Sequence, residues 1–72
     1  MTNTALLEDI IQKSGFKKSY IAKTIGLSAY GLAKKINNIH EFKTSEINGL
    51  CELLKIDSLE LKERIFFAPE VD

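Results

Sequence analysis

Short apolar segments separated by turn-forming residues set the strongest limit on the fold of this chain. In the first segment the apolar residues stand at positions 6, 7, 10 and 11, which is the spacing of one face of a helix. Ser14-Gly15, Gly26 and Asn37-Asn38 interrupt the pattern, and glycine and asparagine readily take the left-handed backbone that ends a helix. The chain is therefore expected to form short helices, and no segment has the alternation typical of a strand.

We predict an all-α fold of five short helices. The predicted helices are a first after Asn3 or Thr4, a second from about Lys18 to Ile25, a third from Ala29 to Ile36 after the cap Ser28, a fourth after Thr44 or Ser45, and a fifth after Asp57 or Ser58. Side-chain oxygens of these capping residues accept hydrogen bonds from the first free amides of a helix, and Asp57 with Glu60 has the spacing of a capping box. Gly49 inside the fourth helix costs about 1 kcal/mol relative to alanine, which backbone crowding would explain.

The length of 72 residues predicts one domain over residues 1–72, with a core over about 4–66 and a short tail at 67–72. The chain has one cysteine, Cys51, on an apolar stripe and one histidine, His40, without companions. No paired carboxylates, glycine-rich phosphate loop or metal-ligand spacing is present, so we expect neither an enzyme nor a cofactor, metal or small-molecule substrate. The longest apolar run, Ile65–Ala68, is too short to span a membrane, so we expect no membrane partner and a cytoplasmic location.

The formal net charge of zero conceals two oppositely charged halves. Residues 1–43 hold seven lysines and three acidic residues, whereas residues 44–72 hold three basic and seven acidic residues. A basic half favours an anionic partner, and an acidic half favours a second protein or a second copy of the chain.

The segment from Lys17 to Asn38 carries the main functional signal. Its two predicted helices are joined by a tight turn at Gly26, and Ala22 stands four residues before that glycine. A small residue at this place lets the following helix cross closely, and glycine makes the turn without steric cost. These are the requirements of a helix-turn-helix motif, whose second helix enters the major groove of DNA.

Over roughly residues 4–66 the chain resembles the lambda-repressor/Cro-like (XRE) helix-turn-helix family. The resemblance is carried by Gly15-Phe16, Ile21-Ala22-Lys23, Ile25-Gly26-Leu27-Ser28, Leu32, Ile36, Ile47, Leu50, Cys51 and Leu54. The KKINN turn, the EFKTSEI loop and the IFF ending are similar to short Cro-like and modulator-of-repression proteins of temperate bacteriophages. That resemblance implies a role in the lysis–lysogeny switch of a bacterial host cell and a CI-type phage repressor as the partner, which such an antirepressor binds and disables.

The chain departs from the family where many members carry glutamine, since Lys18 and Ala29 stand at those places. Glutamine reads adenine bidentately, whereas alanine only contacts a thymine methyl. The residues predicted to contact DNA or a protein partner are Lys17, Lys18, Ser28, Ala29, Tyr30, Lys34, Lys35, Asn37 and Asn38.

Two functions stay open on the sequence alone, besides a plain helical scaffold. The first is a modulator that binds the repressor and controls operator binding, with or without a co-complex on DNA. The second is a stand-alone Cro-like dimer that binds operator DNA through its third helix. Phe66 and Phe67 either form a dimer or partner surface or fold back on the core.

Overall fold

A computed structural model describes residues 1–69 and shows five α-helices, with no strand in that range. The helices are α1 (Thr4–Ser14), α2 (Lys18–Thr24), α3 (Ala29–Ile36), α4 (Thr44–Leu53) and α5 (Leu59–Phe66). The predicted all-α fold of five short helices is therefore confirmed. Of the predicted tail, positions 70–72 lie outside the described residues. None of the described helices has the length and apolar character needed to cross a membrane.

Side-chain caps begin three of the helices. Asn3 accepts a hydrogen bond from the Leu6 amide, and Ser28 accepts one from the Gly31 amide, as predicted. Ser58, one of the two predicted caps of α5, accepts a hydrogen bond from the Leu61 amide, and the predicted capping box between Asp57 and Glu60 is wrong because Asp57 is not the cap residue.

The predicted cap of α4 is also wrong. Thr44 is already the first residue of α4, and Lys43 occupies the cap position. The backbone amide of Lys43 donates to Glu46 Oε1 at 2.8 Å, so a carboxylate from the first turn satisfies the amide of the cap residue.

One core unites the five helices. Its buried apolar residues are Leu7, Ile11, Ile21, Ala22, Leu32, Ile36, Ile47, Leu50, Ile56, Ile65 and Phe66. The helical spacing predicted the centre of this core, whereas Leu6, Ile10, Ile25, Cys51 and Leu54 pack at its edge and are only partly buried. Gly49 is explained by crowding, because a Cβ atom there would lie 2.9 Å from Ile25 Cγ2.

Two adjacent phenylalanines at the end of α5 have different environments. Phe66 is buried and meets the ring of Phe42 edge-on, with the ring centroids 5.6 Å apart. Phe67 is 61% exposed. Of the two alternatives predicted for this pair, folding back on the core is confirmed for Phe66. Leu61, not Leu59, is the leucine that packs against the core.

Candidate functional site

The turn between α2 and α3 places the helix that carries most of the predicted contact residues. α2 and α3 pack against each other and are joined by residues 25–28. Gly26 takes a φ of 80° in this turn, and the Leu27 amide donates to the Ala22 carbonyl at 2.8 Å. Ala22 is buried. The segment therefore has the close packing of two helices across a tight turn that its alanine and glycine predict.

The outward side of α3, which we call the α3 face, consists of Ser28, Ala29, Tyr30, Lys34 and Asn37. Tyr30 is 72% exposed, and Ala29 beside it is also exposed. The Lys34 ammonium lies over the Tyr30 ring, 4.4 Å from its centroid, which is the geometry of a cation–π contact. The centre of the α3 face is thus an aromatic ring and a methyl group, and its one ammonium lies against that ring.

The two polar uncharged residues of the α3 face also serve the ends of the helix. The Ser28 hydroxyl caps the first turn, as described above, and the Asn37 amide donates to the Ala33 carbonyl at 2.9 Å. Both residues stay exposed. Their remaining hydrogen-bonding capacity is directed to solvent at the two ends of the helix, so the centre of the α3 face is the less polar part.

Lys35, predicted to contact a partner, lies in an ion pair between two helices and not on the α3 face. The Lys35 ammonium lies 2.6 Å from Glu46 Oε1, and the two side chains are only 12% and 8% exposed. Lys35 therefore joins α3 to α4 inside the domain. The sequence shows no sign of this pair, because Glu46 has the ordinary place of an acid in the first turn of a helix.

Glu46 is ionised in this surrounding. Burial acts to raise its pKa, but the hydrogen bonds from Lys35 and from the Lys43 amide, together with the charges of both lysines, lower it below its ordinary value. A carboxylate that accepts charge-assisted hydrogen bonds holds its proton less tightly. The ion pair is consequently present at neutral pH.

Asn38 is also placed differently from its predicted role as a contact residue. Its Oδ1 accepts a hydrogen bond from the Thr2 amide at 2.7 Å, and its Nδ2 donates to the Thr2 carbonyl at 2.9 Å. Both polar groups of the side chain are thus committed to the backbone of the N-terminal segment. Turn propensity predicts the left-handed backbone of Asn38, whose φ is 64°, but it does not predict this partner 36 residues away.

Lys17 and Lys18 lie at the start of α2 rather than on the α3 face. Lys17 occupies the cap position of α2 and is exposed. The Lys18 ammonium pairs with Glu8 Oε2 at 2.8 Å, and an exposed pair of this kind contributes little to stability. Phe16, between α1 and α2, is 39% exposed, and its ring centroid lies 5.4 Å from that of Tyr20.

The arrangement offers a contact surface. Within residues 1–69, no group of three or more histidine, cysteine, aspartate or glutamate side chains could hold a metal ion. Cys51 is half-buried, and burial raises the pKa of its thiol despite the nearby Lys62 charge, which lowers the fraction of the nucleophilic thiolate.

Comparison of the chain with protein-family models, curated proteins and solved structures finds no significant match.

Proposed function

We propose that this protein is a phage genetic-switch regulator that binds a CI-type repressor through its α3 face and thereby controls the repressor's binding to operator DNA. The observation that carries the proposal is the exposed Tyr30 ring at the centre of that face, which holds a single ammonium. One lysine of α3 lies over Tyr30, and the other is buried against Glu46. An exposed aromatic ring among small residues is what a protein partner needs as an anchor.

The chemistry of the α3 face fits base recognition less well. Reading a base pair in the major groove requires side chains that offer paired donors and acceptors, typically arginine, glutamine or asparagine. Between Ala29 and Ile36 the helix carries none of these residue types, and Asn37 follows at its end. The face therefore favours a protein partner over direct contact with base edges.

The identity of the partner comes from the resemblance described under the sequence analysis. We further propose that the five helices form a lambda-repressor-like domain in which α2 and α3 are the helix-turn-helix motif. The four-residue connection with its left-handed Gly26, and the buried Ala22 beside it, support this assignment. The expected partner is then the repressor of the same switch, and its operator DNA enters through that complex.

A gel-shift titration of switch-region DNA tests the proposal, with this protein alone, the CI-type repressor alone, and both together. The protein alone should leave the DNA unshifted at physiological salt, and its addition should alter or abolish the shift caused by the repressor. Tyr30→Ala should weaken this effect by about thirtyfold, which is the loss expected of an interface anchor. Tyr20→Ala is the matched control, since it removes another exposed tyrosine outside α3.

One observation favours a second candidate, direct operator binding by a Cro-like dimer. Lys17, at the cap of α2, and Lys23, within α2, are exposed, and lysines near a helix-turn-helix commonly position DNA phosphates. The first arm of the titration decides between the candidates. A saturable, salt-dependent shift by the protein alone, weakened by Lys17→Ala, would show direct operator binding and refute the proposed protein-only mechanism.

A further inference from the structure

Residues 1–4 form a segment that we call the N-terminal strap, and one side of it is bound to the end of α3. The Asn38 side chain pairs with both the amide and the carbonyl of Thr2, as described above. The Thr4 hydroxyl donates to the Ile36 carbonyl at 2.6 Å. The strap therefore satisfies a terminal carbonyl of α3 and fixes the first residues that follow the helix.

The other side of the strap is bound to the end of α5. The Asn3 amide donates to the Ile65 carbonyl at 2.6 Å, and the Ala68 amide donates to the Met1 carbonyl at 2.9 Å. Thr2, between these contacts, is 7% exposed. The strap thus links the C-terminal ends of two helices, α3 and α5.

The choice of residue at position 38 indicates that the side chain matters more than the backbone there. Asn38 has a left-handed backbone, for which glycine is the residue of lowest cost. An asparagine amide offers one acceptor and one donor in the spacing that pairs with the amide and carbonyl of another residue. A carboxylate at this position could satisfy the Thr2 amide, but it would repel the Thr2 carbonyl.

We propose that Asn38 is a positioning residue, which holds the C-terminal end of α3, and with it Lys34 and Asn37 of the α3 face, in place for partner binding. Asn38 acts through the strap and does not itself contact the partner. This inference rests on the proposed function, since it concerns the face that binds the repressor. It assigns to an exposed loop residue an effect on a surface that it does not form.

Two glycine substitutions test the proposal as a matched pair. Asn38 and Lys55 are the two described non-glycine residues with positive φ, at 64° and 57°. Asn38→Gly and Lys55→Gly therefore relieve the same backbone conformation, but only the first removes the contacts with Thr2. Asn38→Asp is the third variant, because its carboxylate lacks the donor for the Thr2 carbonyl and regains one when protonated.

The first readout is amide hydrogen exchange. In Asn38→Gly the amides of Thr2 and Asn3, and the Ile39 amide that donates to the Lys34 carbonyl, should lose protection by about tenfold, the effect of losing buried hydrogen-bond partners. Lys55→Gly should leave these amides within about twofold of the native protein. In Asn38→Asp the protection of the Asn3 and Ile39 amides should recover in part between pH 7 and pH 4, as a ratio to the native protein at each pH, because the new carboxyl is protonated only near the lower pH. Glu41 and the Met1 ammonium line the same pocket and act on this protonation in opposite directions.

The second readout is affinity for the repressor, measured where all variants are at least about 99% folded, so that global unfolding does not lower the apparent affinity. Asn38→Gly should bind about tenfold more weakly, and Lys55→Gly should bind like the native protein. If amide exchange in Asn38→Gly is the same as in the native protein, Asn38 does not hold the strap. If these amides lose protection but Asn38→Gly binds the repressor with native affinity, the positioning role is wrong. If the native protein does not bind the repressor, the proposed function fails. The exchange of the Ile39 amide then still decides whether Asn38 holds the end of α3.

Discussion

Replacing Lys35 by methionine should destabilise the protein by about 2–3 kcal/mol at pH 7, because it leaves the Glu46 carboxylate buried without its main partner. Methionine keeps the apolar stem of the side chain and removes only the charge. The penalty has a ceiling, since the carboxyl can take up a proton instead. Its ordinary pKa is 4.5, and one pH unit corresponds to about 1.36 kcal/mol, so protonation at pH 7 costs about 3.4 kcal/mol.

The penalty should shrink as the pH falls. In the native protein the folded-state pKa of Glu46 is lowered, so its contribution to stability is present above the unfolded pKa of 4.5 and is lost as the pH falls through the lower folded value. Without Lys35, only the amide and charge of Lys43 oppose the effect of burial on the pKa of Glu46, and protonation costs little close to pH 4.5. The difference between the two proteins should therefore fall below about 1 kcal/mol at that pH.

Urea unfolding followed by far-ultraviolet circular dichroism measures both effects. With a slope of about 1 kcal/mol/M for a domain of this size, the midpoint at pH 7 should drop by about 2–3 M. The double variant Lys35→Met/Glu46→Leu removes both charges and should recover most of the loss, even if the single variant does not fold at pH 7. A penalty below about 0.5 kcal/mol at pH 7, or one that is equal at pH 7 and 4.5, would refute the reasoning.

Three further predictions concern Gly49, the pair Phe66 and Phe67, and the cap Ser58, and each is measured by urea unfolding. Gly49→Ala should destabilise the protein by up to about 2 kcal/mol, because overpacking against Ile25 outweighs the gain in helix propensity. The double variant Gly49→Ala/Ile25→Ala should lose less stability than the sum of the two single variants. A Gly49→Ala protein that is more stable than the native one would contradict the crowding. Phe66→Ala should lower the free energy of unfolding by about 3–5 kcal/mol and Phe67→Ala by less than about 0.5 kcal/mol, since only Phe66 is buried. Equal losses would show that the two rings are not buried to different extents. Ser58→Ala should cost about 1 kcal/mol through the lost cap of α5, whereas no change would show that the cap adds nothing.

Local signals in the sequence account for the order and limits of the helices. Residues with a left-handed backbone and capping side chains act on atoms within about four residues, so their effects can be predicted from the neighbouring sequence. The left-handed residues are Gly15, Gly26 and Asn38, and the caps are Asn3 and Ser28. The helical spacing likewise indicates which face of each helix turns inward. The cap of α4 was predicted wrongly because the helix begins already at Thr44, and Glu46 binds the amide of the cap residue Lys43.

Tertiary structure alone decided which predicted contact residues are available to a partner. Lys35 and Lys34 are adjacent in sequence and equally basic, yet one is buried against α4 and the other lies over Tyr30 on the surface. Asn37 and Asn38 are adjacent and identical, yet only Asn38 binds the backbone of Thr2. These outcomes depend on partners 11 and 36 residues away. No local pattern encodes such distances, because the partners meet only once the helices have packed into one core.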